Sequence, residues 1–253
     1  MRIILPKEQI KGQRITLSGE KARYLISVLR CSAGDELQVF DGEGSLYKSK
    51  ITGIENKKVI IDLLEQISLN AESPLNLTLV QGILKGEKMD VVVQKATELG
   101  VKEIIPAITE RSQIRHTRKV DRWRKIAEEA SKQSGRTMIP VVHEPMEFNS
   151  LFTVHHSLPI RGFIFWEEGG LSLKEAIQHS AVSIQHSENS QLSTFNSQLF
   201  VLVGPEGGFS KEEVNRAVSK GLITVSLGKR ILRAETAAIS AVALIQFLLG
   251  DIK

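Results

Sequence analysis

The sequence predicts an α/β fold with a mostly parallel sheet, preceded by a small β-barrel, and three features carry that reading. Within 1–70 the apolar residues fall in short β-type runs punctuated by turn signals. From 74 to 253 apolar runs alternate with segments of helical period, the pattern of a parallel sheet covered on both faces. Between them Asn70-Ala71-Glu72-Ser73-Pro74 reads as a linker, being polar and ending in a proline that disfavours helix before it. A chain of 253 residues has the size of one large domain or of a small and a medium one, and at 42% hydrophobic and 25% charged it has the composition of a globular rather than a disordered or fibrous protein.

In the first domain, 1–70, strands are expected over 14–17, 36–40, 47–54 and 58–64, separated by Ala33-Gly34-Asp35 and Asp41-Gly42-Glu43-Gly44. A helical piece over 21–29 interrupts them. In the second, 74–253, strands are expected over 75–82, 103–106, 162–166, 199–203 and 223–227, with helices over 87–99, 119–134, 211–220 and 235–249. Met89, Val92, Val93, Ala96 and Leu99 lie at helical spacing and Gly100 is a C-terminal stop. Trp123, Ile126, Ala127 and Ala130 repeat the pattern, and both stripes read as core. The stretch 183–198, rich in serine and glutamine, has neither period and reads as a loop insertion.

Several classes are excluded at this level. Cys31 is the only cysteine, so no intrachain disulfide or cysteine-built zinc site is available, as suits a reducing cytoplasm. The start MRIILPKEQIKG meets a proline and charges too early for a signal peptide, and the apolar stretch 236–249 is too short to span a bilayer. His155, His156 and His186 show no metal-ligand spacing, and no metal is expected.

Chemistry concentrates in three segments. The first is VLVGPEGGFSKEEV (201–214), where a buried-type strand enters a glycine-rich turn and then a helix whose start is marked by Ser210 and Glu213 in capping-box spacing. Glycines at the carboxyl end of a strand let backbone approach a ligand. The spacing matches neither the dinucleotide nor the phosphate-loop fingerprint, and Glu206 would repel a phosphate, so a ligand with a cationic centre fits better. The second is SLGKRILRAETAAISAV (226–242), again strand, glycine turn and helix, with Ile231 and Leu232 placed to line a pocket for a flat ring. Arg233 and Glu235 flank that helix start, where capping and ordinary ion pairing are also available to them. The third is basic: from Arg111 to Arg136 nine lysines and arginines face three acids, a surplus of six against +4 for the whole chain. Such a cluster fits a phosphate backbone, and a solvated helix face is the plainer alternative.

On these residues the sequence resembles the SPOUT methyltransferases, and within them the bacterial small-subunit ribosomal RNA uridine-N3 methyltransferases, the RsmE family. The matching stretches are LKGEKMDVVVQKATELGV (84–101), RWRKIAEEASKQSGR (122–136), LVGPEGGFSKEE (202–213) and LGKRILRAETAA (227–238), and VLRCSAGDELQVFDGEG (28–44) is similar to that family's PUA-like RNA-binding barrel. Tyr24 departs from the family pattern, in which a histidine is expected before VLR. The resemblance implies a C-terminal trefoil knot, a homodimer, S-adenosylmethionine as cofactor and methylation of a uridine N3 in 16S ribosomal RNA, alone or in the small subunit. It places Val203, Gly204, Pro205, Glu206, Gly207, Gly208, Leu227, Gly228, Ile231 and Leu232 around the cofactor. Arg233, Glu206 and Arg136 are the candidates for catalysis, and Arg30, Lys85, Lys88, Arg111, Arg115, Arg122 and Arg136 those for RNA contact. The rival readings are a knotted methyltransferase for another RNA and an RNA-binding protein without catalysis.

Overall fold

The computed structural model describes residues 1–69, 71–154, 160–185 and 198–253. Asn70, His155, His156 and His186 lie outside the described residues, as does the expected insertion from 186 to 197. The chain divides into two compact units, one of 1–72 with 131–139 and the other of 73–130 with 140–253.

In the first unit β1 (Arg2–Ile4), β2 (Arg14–Leu17), β3 (Glu36–Phe40), β4 (Leu46–Glu55) and β5 (Lys58–Gln66) form a sheet in the order β1-β3-β4-β5-β2. β1 runs parallel to β3 and the remaining pairs are antiparallel. Period two decides which face is buried: Ile15 and Leu17, Leu37 and Val39, and Val59 and Ile61 meet in one core with Leu25. Asn56 and Lys57, both at positive φ, close the β4–β5 hairpin, the geometry that matches the strands' own twist. The helix expected over 21–29 is shorter. α1 (Gly19–Arg23) passes into one π-helical turn, Tyr24–Val28, after which Arg30 at φ 53° turns the chain so that the Cys31 amide donates to the Leu25 carbonyl at 2.9 Å.

No sequence pattern foretells that 131–139 belongs to this unit. Glu72 accounts for it. Its carboxylate accepts from Nε and a terminal nitrogen of Arg136 at 3.0 and 2.8 Å, and from the Thr137 and Met138 amides at 2.9 and 3.0 Å.

The second unit is a parallel sheet with helices. β6 (Leu77–Gly82), β7 (Glu103–Ile108), β8 (Val141–Val142), β10 (Arg161–Phe165), β11 (Leu171–Ser172), β12 (Leu199–Val203) and β13 (Ile223–Ser226) are ordered β11-β13-β10-β12-β6-β7-β8, and β9 (Met146–Glu147) pairs with β7. Every pairing is parallel. The helices are α2 (Lys88–Glu98), α3 (Val120–Ser134), whose last four residues belong to the first unit, α4 (Leu151–Val154), α5 (Leu173–Gln185), α6 (Lys211–Ser219) and α7 (Ala234–Leu249). β6, β10 and β12 are buried along almost their whole length because parallel strands are covered on both faces. The expected insertion starts later than its composition indicates, since α5 continues to Gln185 and Gln198 is anchored, donating to Thr78 Oγ1 at 2.7 Å and Glu103 Oε1 at 3.1 Å.

Candidate active site

In a parallel sheet the carboxyl ends of neighbouring strands leave a crevice where the connections diverge. Here the ends of β10, β12 and β13 and the connection into α7 enclose a cavity of about 700 Å³, lined by Phe165 to Glu167, Val203 to Gly208 and Ser226 to Glu235, with Lys88 and Ala237. All ten residues expected around the cofactor border it, and Arg233 does too.

The glycine loop is held from several sides. Gln81 Nε2 donates to the Gly204 carbonyl at 3.0 Å, and a Cβ on Gly82 would run into the Pro205 nitrogen, so β6 ends flat against the loop. Gly208 sits at φ 69°, where a side chain would be strained and would also collide with the Glu167 carboxylate. A Cβ on Gly207 would lie 3.1 Å from Cβ of Arg111. Beyond the loop, Ser210 and Glu213 form the expected capping box on α6, and the other oxygen of Glu213 accepts from the Glu110 amide at 2.9 Å.

Four of the residues expected on RNA or in chemistry, Glu206, Lys85, Lys88 and Arg111, hold this loop. Glu206 Oε1 accepts from the Lys85 amide at 3.1 Å and from Lys88 Nζ at 3.0 Å. Burial alone would raise the Glu206 pKa, but the hydrogen bonds from Lys88 and the backbone amides outweigh it and the net shift is downward. Glu206 is therefore an ionised anchor and a weakened base. Arg111 donates a terminal N–H to the Gly207 carbonyl at 3.1 Å.

The other basic candidates separate. Arg122 is committed to Asp90, at 2.8 Å, which also accepts from Trp123 Nε1 at 3.0 Å and ties α2 to α3. Arg115 is exposed and borders a second cavity, of about 330 Å³, with Arg216. Arg30 is exposed on the first unit. Arg136 is 3% exposed and paired with Glu72, so here it serves as a structural cation.

Arg233 is the N-cap residue of α7 in extended conformation, exposed at the cavity wall. Ile231 stands 86% exposed beside it. Several lining residues escaped the sequence reading: Phe165, Trp166 and Glu167 directly after β10, and Ser226, Lys229 and Arg230 before α7. The position of 166–167 at the carboxyl end of a buried-type strand was the available signal. Glu235 was read as a flanking or capping residue, and it also borders the cavity. Its Oε2 and the indole Nε1 of Trp166 are buried without hydrogen-bond partners among the described residues. No cluster of three or more metal-ligating side chains occurs among the described residues.

Comparison with known proteins supplies the family. The RNA methyltransferase domain matches residues 71–246 and the RNA methyltransferase PUA domain residues 17–64. The ribosomal RNA small subunit methyltransferase E of Buchnera aphidicola (Acyrthosiphon pisum) is 32% identical over 100% of this chain and 95% of its own length. This chain belongs to the ribosomal RNA small subunit methyltransferase E family. The Bacillus subtilis member of this methyltransferase family is 30% identical, covering 97% of this chain and 94% of its own. The crystal structure of the Neisseria gonorrhoeae member, bound to S-adenosyl methionine, superposes on this methyltransferase with a TM-score of 0.85 at 32% identity, covering 100% of this chain and 99% of that one.

Proposed function

We propose that this chain methylates N3 of a uridine in small-subunit ribosomal RNA, using S-adenosylmethionine. The observation that carries the reading is the cavity itself: two glycine turns at the carboxyl ends of β12 and β13, the parallel strands on either side of β10, in a family whose Neisseria member binds S-adenosyl methionine. The lining fits such a ligand. Bare backbone at Gly204, Gly207 and Gly208 admits close approach, Phe165, Leu227 and Leu232 offer apolar walls for a flat ring, and two carboxylates, Glu167 and Glu206, favour a cationic sulfur. The sulfonium supplies a methyl group already activated for transfer, so the protein's share is positioning and charge. Arg233, exposed on the cavity wall, supplies donors for charge developing on the base, and Arg30 and Arg115 remain as contacts for RNA phosphate.

The reading extends to assembly and place. The strand order β13-β10-β12-β6, out of chain sequence, with α7 packed on α2 and β12, supports the trefoil knot. An apolar face of α7 supports a homodimer. No helix among the described residues is long and apolar enough to cross a membrane, and a cytoplasmic site of action fits a ribosomal substrate. The test is methylation of small-subunit RNA from a strain lacking this activity by purified protein, followed by nucleoside analysis. N3-methyluridine is expected, and any other product would overturn the assignment.

A further inference from the structure

We infer that Glu235 is the group that takes the N3 proton of the acceptor uridine, and that it thereby selects uracil over cytosine. The inference rests on the uridine-N3 reading and adds the base which that reading lacks.

Three carboxylates line the cavity, and they differ in what they already hold. Glu206 is occupied by the Lys85 amide and the Lys88 ammonium. Glu167 stands exposed to water beside Gly208. Glu235, in the first turn of α7, keeps Oε2 shielded from water and without a donor among the described residues. A buried acceptor left unpaired is costly, and such atoms in native structures call for a partner arriving from outside. A base needs an uncommitted lone pair in a dry site, and this oxygen has one. The charged groups facing the same cavity are Lys88, Glu167, Glu206, Lys229, Arg230 and Arg233.

The imide edge of uracil places one N–H donor between two carbonyl acceptors. A carboxylate oxygen facing N3–H, with the Arg233 fork facing an adjacent carbonyl, complements that edge. Cytosine presents a lone pair at N3, which the carboxylate oxygen repels. In the step, the N3–H bond breaks and its proton bonds to the Glu235 carboxylate, while the electron pair stays on N3. That pair forms the new N–C bond as the methyl–sulfur bond of the donor opens and sulfur keeps its electrons. Charge delocalised onto the carbonyl oxygens is met by Arg233.

Glu235→Gln keeps shape and removes the base. Single-turnover methylation should fall by about 10²–10⁴-fold, with calorimetric affinity for S-adenosylmethionine unchanged. The lost rate should return progressively as pH rises, because the imide then ionises unaided; a residue with only a structural role gives no such recovery. Binding supplies an independent readout: wild type should bind an oligonucleotide spanning the modified site more tightly with uridine there than with cytidine, and Glu235→Gln should lose that preference, since its amide can donate to cytosine N3. A Gln variant with wild-type rate, with unchanged uridine preference, or with lost cofactor affinity overturns the inference. Wild-type product analysis run alongside separates the cases: N3-methyluridine from a wild-type enzyme with an unaffected Gln variant sinks Glu235 alone, whereas a different wild-type product sinks the uridine-N3 reading.

Discussion

Arg233 stands where the second glycine turn becomes α7, lining the cavity and making no side-chain cap bond to its own helix. A donor preorganised for charge that appears only in the transition state affects rate more than binding. Arg233→Ala should therefore lower single-turnover methylation by about 10²–10³, with cofactor affinity near normal. Arg233→Lys should rescue poorly, because a point charge lacks the planar fork. A destabilised Ala variant with a normal single-turnover rate would remove Arg233 from the chemistry. Gly207 acts differently. Its missing side chain makes room for the stem of Arg111, which also holds the Gly207 carbonyl. Gly207→Val should push the loop off that support and weaken S-adenosylmethionine binding by at least tenfold, about 1.4 kcal/mol. Calorimetry checks it, and normal affinity would reduce the loop to a packing turn.

At the scale of elements, the Glu72 clamp is the clearest energetic feature of the first unit. Burial alone would raise the Glu72 pKa, but hydrogen bonds from Arg136 and from the Met138 and Thr137 amides, with the arginine's charge, bring it below the usual carboxylate range. A carboxylate depressed in the folded state stabilises above its unfolded pKa, and that stability is lost as pH falls through the folded value. The first unit should thus loosen at acid pH, and hydrogen exchange over its peptides should show protection lost from 131–139 first. Glu72→Ala breaks a buried ion pair, which costs about 3–5 kcal/mol and should abolish that acid step. Equal acid lability in wild type and variant would refute the clamp. None of this was legible beforehand, because the linker pattern at 70–74 marks Glu72 as polar chain and says nothing of what it meets. The legible elements were those whose pattern is set by burial on both sides, such as β12 and β10, or by an explicit cap, such as α6. The loops that line the cavity were legible for the same reason: glycines after a buried-type strand. Two-residue strands carry too few residues to show a period, and the roles of Lys88, Arg111 and Arg136 depend on which loops meet, which a run of charge does not encode.

For the whole molecule the telling element is α7, which is apolar on more than one face. Ala238, Ala241, Val242 and Ile245 are buried in the fold, yet Leu244, Phe247 and Leu248 stand 41%, 58% and 41% exposed at i, i+3 and i+4, and Ile252 continues the patch. A helix in a soluble monomer keeps one stripe apolar, and an all-round apolar helix is normally covered. Val91 on α2, the helix that packs beside α7, is exposed as well and widens the surface. A twofold pairing of this face with its own copy covers these side chains in both protomers at once, as a closed symmetric interface requires. Fully burying each large apolar side chain contributes about 1.5–3 kcal/mol, so a few of them on each side are enough to hold a stable dimer. The chain should therefore sediment as a dimer at micromolar concentration, with a melting temperature that rises with protein concentration. Phe247→Glu places a charge in the centre of the face and should yield monomers, while leaving the buried side of α7 and its packing on α2 untouched. A wild-type chain that sediments as a monomer, or a Phe247→Glu variant that still dimerises, would place the partner surface elsewhere.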